Sequence, residues 1–297
     1  MSTADMSGRV CLVTGATSGH GRAMAHALAS SGAEIVLLGR NPGKCREVQQ
    51  EIAEANDGKR PEVLLCDLAS LGDIDRAADE YLASGRPLHV LVNNAGLVAL
   101  ARKQSIDGHE LCFAVNYLAM FKLTLRLLPR LRECAPARIV NIASDSYKIG
   151  KIDFDDLQLE KSYSLAAAYA NSKLAIVHFT LELARRLEGS GVTANAVDPG
   201  PVASNIGADN PGILYSLARP MIKYLFPSAA RAARTAMWVA CDPDLAEESG
   251  AYFRSRKKRA HLKPAEQPEV SAELWRRTAD LLGLDLAAPA PRAPREP

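Results

Sequence analysis

The stretch RVCLVTGATSGHGRAMAHAL, Arg9–Leu28, decides how this chain folds. Its opening RVCLVT, Arg9–Thr14, is a short apolar run without polar alternation, the pattern of a strand buried on both faces. Gly15, Gly19 and Gly21 follow, and then a segment with helical spacing. A strand that turns through glycines into a helix aims backbone N–H groups and a helix N-terminus at one point, where phosphate binds. The spacing is G-x-x-x-G-x-G, not the G-x-G-x-x-G of the common dinucleotide fingerprint. Glycines here can also serve only to allow positive φ in a turn. Gly15, Thr17, Ser18, Gly19, His20 and Gly21 are the candidate cofactor contacts of this loop.

Outward from that junction the same rhythm repeats. EIVLLG (34–39), EVLLC (62–66), HVLVNN (89–94), ARIVNIAS (137–144) and VTANAV (192–197) read as buried strands, and GAYFR (250–254) adds a seventh. Segments 21–31, 44–55 and 74–83 between them carry helical periodicity. Strands alternating with helices over short loops predict βαβ units and an α/β fold, a single Rossmann-type doubly wound parallel sheet of about seven strands with helices on both faces. One domain is expected over residues 1–285. Two regions break the rhythm: residues 145–165, a long connection, and residues 199–227, rich in Gly, Pro and Asn, a substrate loop over about 200–227. The Ala/Pro-rich end, 286–297, is expected to be disordered.

The 297 residues are 47% apolar and 24% charged with net charge +2, ordinary for a soluble globular protein and no argument for nucleic acid. The basic run RSRKKRAH, 254–261, lacks amphipathic or aromatic company and reads as a solvated surface. Six cysteines are scattered without metal spacing, so core packing in a reducing compartment is expected and no metal site. No signal-peptide pattern opens the sequence and no run of about eighteen apolar residues occurs, so a cytoplasmic protein without an integral membrane segment is expected.

The end of the second strand informs by what it lacks. An acid there usually accepts hydrogen bonds from the ribose 2′-hydroxyl of NAD, about twenty residues past the glycines. Here the strand ends Leu38-Gly39-Arg40. A guanidinium suits a 2′-phosphate, which favours NADP(H) over NAD(H), with Arg22 a second positive group near the same spot. Local capping or ion pairing is the alternative for Arg40.

Further on, YANSK places Tyr169 and Lys173 one helical turn apart on one face. Tyr-x-x-x-Lys arises often by chance, so the pair alone does not separate surface residues from a phenol set up for proton transfer.

Taken in order, T-G-x-x-x-G-x-G, N-N-A-G at 93–96, the Asn of FAVNYLAMF, IVNIAS and Y-x-x-x-K resemble the short-chain dehydrogenases/reductases, over residues 8 to about 254. LLCDLASL, DGHE, KIDFDDLQLEKSYS, SKLAIVHFTLELARRL and ELWRRTADLLGL resemble the retinol-dehydrogenase-like branch, whose insertion between catalytic Ser and Tyr accounts for the long connection. Many members of that branch carry an N-terminal membrane anchor, which is not expected here. The resemblance implies a catalytic set of Asn116, Ser144, Tyr169 and Lys173. Tyr169 is then the acid for carbonyl reduction, Lys173 favours its phenolate and holds the nicotinamide ribose, and Ser144 hydrogen-bonds the substrate oxygen. Ser146 is the nearest alternative to Ser144. Asn116 matches a residue that holds a water in a proton relay, and a buried, satisfied amide is the other reading.

For the cofactor, the resemblance assigns Asp67 and Leu68 to adenine, and Asn94, Ala95 and Gly96 to the ribose. It assigns Pro199, Gly200 and Val202 to the nicotinamide carboxamide, with Ser204 where Thr is common. His20 departs from the usual aliphatic residue, with packing, phosphate contact and pH-sensitive binding all open. Asp198 also departs, standing where His or Asn is commoner.

The expected activity is NADP(H)-dependent interconversion of a carbonyl and an alcohol. An imine reductase or epimerase would use the same groups, and a non-catalytic NADP(H) sensor would be expected to have lost one of them. Ile206, Ile213, Leu214, Tyr215, Leu217, Met221 and Leu225 suit an apolar or aromatic substrate, or else packing against the protein body. A homodimer or homotetramer is a further expectation from the resemblance.

Overall fold

The computed structural model describes residues 4–200 and 228–284. Most of the expected substrate loop, including Val202 and Ser204, and the 286–297 tail lie outside the described residues. One sheet has the order β3-β2-β1-β4-β5-β6-β7-β8. Its strands are β1 (Val10–Thr14), β2 (Glu34–Gly39), β3 (Glu62–Leu65), β4 (Val90–Asn93), β5 (Ala137–Ile142), β6 (Val192–Asp198), β7 (Tyr252–Arg254) and β8 (Lys257–Arg259). The first seven are parallel, and β8 pairs antiparallel with β7.

The eighth strand comes from the basic run. Ser255 and Arg256, both at positive φ (52° and 54°), close a two-residue hairpin between β7 and β8. That turn normally carries Asn-Gly or Gly-Gly, so sequence pattern gives no warning of it. Lys257, Lys258 and Arg259 are exposed as the run predicts, and charge along an edge strand discourages further strand pairing.

The helices are α1 (Gly19–Ser30), α2 (Pro42–Ala55), α3 (Leu71–Ala83), α4 (Leu111–Glu133), α5 (Leu165–Arg186), α6 (Ala229–Cys241) and α7 (Pro268–Leu281). Alternation within β1 shows how the layers form. Val10 and Leu12 join one core with residues of α3, α4 and α5, whereas Cys11 and Val13 join the other with α1, α2 and α6. Helix α4 is long and apolar enough by composition to cross a membrane (mean hydropathy 1.5), but 72% of that apolar window is buried within this fold. Helix α7 closes the layer: Trp275 stacks on Phe179 of α5 at 5.4 Å and meets Phe121 of α4 at 4.9 Å.

The long connection before α5 is folded. A 3-10 turn, Asp145–Ile149, leads into a segment where Arg277 of α7 lies over the Phe154 ring at 4.8 Å and donates to its carbonyl at 3.0 Å. Strand order reverses between β1 and β4, which leaves a crevice outside their carboxyl ends, where open α/β sheets bind ligands.

Candidate active site

The glycine loop opens the crevice. Gly15 has φ +64°, and a Cβ there would lie 2.9 Å from the Ala95 backbone. A Cβ on Gly21 would collide with the Gly15 carbonyl and the Asn94 amide. Gly19 also has positive φ (+49°), but a Cβ there would meet open space. Two glycines are therefore needed for close approach and one for backbone conformation. The Ala95 and Asn94 that press on this loop are held in turn by β1. Thr14 Oγ1 accepts from the backbone N–H groups of Asn94 (2.9 Å) and Ala95 (3.0 Å), and Asn94 Nδ2 donates to the Thr14 carbonyl at 2.8 Å.

Ser18 is the N-cap of α1 but makes no side-chain capping bond, and the first turn of α1 holds no acid. The helix N-terminus thus keeps N–H groups and positive potential for an anion, which fits a pyrophosphate. Thr17 packs near Gly39, so a side chain at Gly39 would meet the Thr17 methyl and the Cys45 sulfur at 3.0 Å each.

His20 is buried. Its Nδ1 hydrogen-bonds Asn94 Oδ1 at 2.8 Å, and Nε2 lies near the backbone of Ala232 on α6 without hydrogen-bond geometry. Burial lowers the imidazole pKa, which keeps it neutral. Packing between the loop and α6 is what the structure shows for this residue.

Beyond β2, Arg40 is exposed and precedes Asn41, the N-cap of α2. Arg22 makes ion pairs of its own. Since α1 and α2 lie side by side, its guanidinium pairs with Glu51 and, at 3.5 Å, Glu47. After β3, Asp67 accepts from the Ala69 N–H at 3.0 Å, and Leu68 packs onto the core.

The chemistry-bearing groups meet around Gly96, where a Cβ would lie 3.3 Å from Asn116 Oδ1 and 3.6 Å from Lys173 Nζ. Asn116 sits in a π turn, Ala114–Leu118, within α4, a feature frequent at functional sites. Its Oδ1 accepts from the Leu97 N–H (2.7 Å), and its Nδ2 contacts the Leu97 carbonyl (3.0 Å), Cys112 Sγ (3.1 Å) and Ser172 Oγ (3.0 Å). The amide is fully occupied in holding the chain after β4.

Lys173 is 4% exposed and donates to the Ile142 carbonyl at 2.8 Å. An ammonium has three donors, so two remain for a ribose or a relay. Burial pulls its pKa down to about 8, opposed by Cys112 and Asp198. Burial pushes the Tyr169 phenol up, and the Ser144 hydroxyl beside it acts in the opposite sense. The ammonium stands 5.6 Å from the Tyr169 ring centre. Ser144 caps the 3-10 turn by accepting from the Ser146 N–H (3.3 Å), whereas Ser146 Oγ is buried without a partner. Pro199 and Gly200 leave β6 at the same end of the sheet, and Asp198 Oδ1 accepts from the Gly200 N–H at 2.7 Å.

Sequence reasoning missed Thr14, Ser172, Asp145 and Arg254, which orient this set. The available signal for Thr14 was its place at the end of β1, opening the T-G-x-x-x-G-x-G motif. Asp145 and Arg254 lie 109 positions apart and gave none.

The model of the family described as short chain dehydrogenase matches residues 9–211. Retinol dehydrogenase 12 of Mus musculus is 40% identical over 279 residues, covering 93% of this chain and 87% of that protein. The crystal structure of an uncharacterized protein from Mycobacterium paratuberculosis superposes with a TM-score of 0.77 at 28% identity, over 96% of this chain and 97% of its own. An active-site complex of Pseudomonas aeruginosa RhlG with NADP gives 0.67 at 26% identity, over 85% and 97%. With this fold and this crevice, the chain belongs to the short-chain dehydrogenase/reductase family, in its retinol-dehydrogenase-like branch, and is an oxidoreductase that takes a nicotinamide cofactor and a small-molecule substrate.

Proposed function

We propose that the chain reduces an apolar aldehyde or ketone, and oxidises the matching alcohol, with NADP(H). The observation that carries the chemistry is the convergence of Tyr169, Lys173 and Ser144 where β4, β5 and α5 meet. The bound cofactor supplies hydride to the carbonyl carbon. Tyr169 gives its phenolic proton to the carbonyl oxygen, and the Ser144 hydroxyl hydrogen-bonds that oxygen as charge develops. Lys173 favours the phenolate left behind, through a positive charge on the same helix face. Its two remaining donors suit the ribose hydroxyls.

Preference for NADP(H) is supported by the end of β2, where Gly39 and an exposed Arg40 stand in place of a carboxylate, and a bidentate guanidinium fits a phosphate. Support for an apolar substrate comes from the similarity to a protein named for retinol and from the apolar residues of 201–227. We place the enzyme in the cytoplasm, where its six unpaired thiols would stay reduced.

The test is fluorescence titration of NADPH and NADH on the wild type and on Arg40→Ala. NADPH should bind at least about tenfold tighter, a margin typical of one charge-assisted pair, and lose most of it in the variant. Equal binding of both by the wild type would end the NADP(H) assignment and leave the catalytic set standing.

A further inference from the structure

Two turns carry the reactive end of the crevice: Ser144–Asp145 after β5, and Pro199–Gly200 after β6. Asp198 joins them. Its side chain is 4% exposed; Oδ1 accepts from the Gly200 N–H at 2.7 Å and Oδ2 from the Asp145 N–H at 3.3 Å. Arg254, from β7, faces both acids at once. Its Nε is 3.4 Å from Asp198 Oδ2, and its NH1 donates to Asp145 Oδ2. Tyr252 and Lys148 complete the cluster on Asp145, at 2.9 Å and 2.7 Å. The carboxylates of Asp145 and Asp198 are thus balanced by the two cations Arg254 and Lys148.

A buried carboxylate is costly unless paired and hydrogen-bonded. Asp198 meets both conditions, and each of its bonds goes to a backbone N–H within two residues of a predicted cofactor or substrate contact. It also faces Lys173 electrostatically. Cys112, the other group acting on that lysine, is held as a neutral thiol by burial, with a pKa of about 11. Burial pushes the Asp198 carboxyl up and the Gly200 N–H bond acts against that, so as a carboxylate it is the remaining anion acting on this ammonium.

We infer that Asp198 and Arg254 are positioning residues: a charge-balanced clamp, closed by the β7 edge of the sheet, that sets the turn of Ser144 and the turn of Gly200 in one frame around the nicotinamide. The clamp rests on the nicotinamide-cofactor reading and on no particular substrate.

Binding comparisons on the full chain test it. Asp198→Asn keeps the volume and one acceptor and removes the charge. Its affinity for NADPH should fall about fivefold to tenfold, the worth of one charge-assisted hydrogen bond. Its affinity for 2′,5′-ADP, which lacks the nicotinamide, should stay within about twofold, because adenosine and the 2′-phosphate sit across the sheet at β2 and β3. Arg254→Met, leaving two carboxylates face to face, should lose at least as much, whereas Arg254→Lys, which keeps the charge, should stay within about threefold of wild type. The double variant Asp198→Asn/Arg254→Met should bind NADPH more tightly than the product of the two single losses implies. Equal losses on NADPH and 2′,5′-ADP, or losses that simply multiply, overturn the clamp. A wild type that binds neither NADPH nor NADH overturns the cofactor reading and the clamp with it. Wild-type binding without the fragment contrast in Asp198→Asn overturns the clamp alone.

Discussion

The β1–α1 junction and the ends of β5 and β6 both face the crevice, yet they are built in opposite ways. At β1–α1 the chain removes side chains: Gly15 and Gly21 exist so that backbone can press against Asn94 and Ala95. At β5 and β6 it places charges, Lys173 and Asp198 buried and Asp145 half-buried, held by a carbonyl, by backbone N–H groups and by Arg254. The first half offers shape and backbone dipoles, with no room for an added atom at Gly15 or Gly21. The second positions groups through pairs, each of which can be broken singly.

The largest effect should come from the chemical half. Tyr169→Phe removes the phenolic proton and keeps the ring, so kcat for carbonyl reduction should fall about a thousandfold, within the range for loss of a general acid. NADPH affinity should stay within about threefold. If kcat falls by less than tenfold in single-turnover measurements, another acid serves the carbonyl, and the catalytic half is misassigned.

The backbone half is broken next. Gly21→Ala puts a methyl into the Gly15 carbonyl, an atom that cannot yield without moving the loop. A destabilisation of about 1–3 kcal/mol is expected from overpacking alone, with NADPH affinity down by more than tenfold. Gly19→Ala has room and suffers only its positive φ, a cost of about 1–2 kcal/mol. NADPH affinity in that variant should change far less. Thermal melts and titrations of the two variants side by side decide the matter: equal damage to binding would mean that both glycines serve conformation and neither close approach.

This contrast also separates what was legible in the sequence. Most local elements were readable. Buried strands showed as apolar runs, the tight β1–α1 turn as glycines after the first of them, and Tyr169 and Lys173 as one face of one helix. The positions of the parallel strands and the single-sheet architecture followed from that alternation. The β7–β8 hairpin was not readable, because Ser255 and Arg256 adopt positive φ without a glycine or asparagine to announce it. Nor was the bond between Asp145 and Arg254, since only the folded sheet sets β7 beside β6. Asn116 was found by resemblance, but its use, an amide spent on Leu97, Cys112 and Ser172, needed coordinates.

A pH profile tests the charged half through its titration. Under the proposed mechanism, reduction needs Tyr169 protonated and Lys173 charged. Burial raises the phenol, so it keeps its proton through neutral pH, and lowers the ammonium to about 8. Both forms are present below pH 8, and the lysine charge is lost first as pH rises. Turnover in reduction should therefore be flat between about pH 6 and 7.5 and fall about tenfold per unit above the lysine pKa. Alcohol oxidation, which needs the phenolate, should rise with pH instead. Asp198→Asn, removing the anion that raises Lys173, should move the falling limb to lower pH. A limb unmoved by that change would detach Asp198 from the lysine.

The smallest expected effect concerns Arg22, where the two halves of the comparison meet at the helix after the glycines. Proximity in sequence makes Arg22 a partner of Arg40 for a 2′-phosphate. The fold spends it otherwise, on Glu51 and Glu47 of α2. Its side chain is 37% exposed, and a surface ion pair of this kind contributes about 1 kcal/mol or less. Arg22→Ala should thus lower the melting temperature slightly and leave the NADPH-to-NADH affinity ratio within about twofold of wild type. A tenfold fall in that ratio would mean that the guanidinium leaves Glu51 for the phosphate when the cofactor arrives. The backbone half would then bind partly by a side chain released from a salt bridge, and the line between shape and charge would run through α1 rather than between β1 and β5.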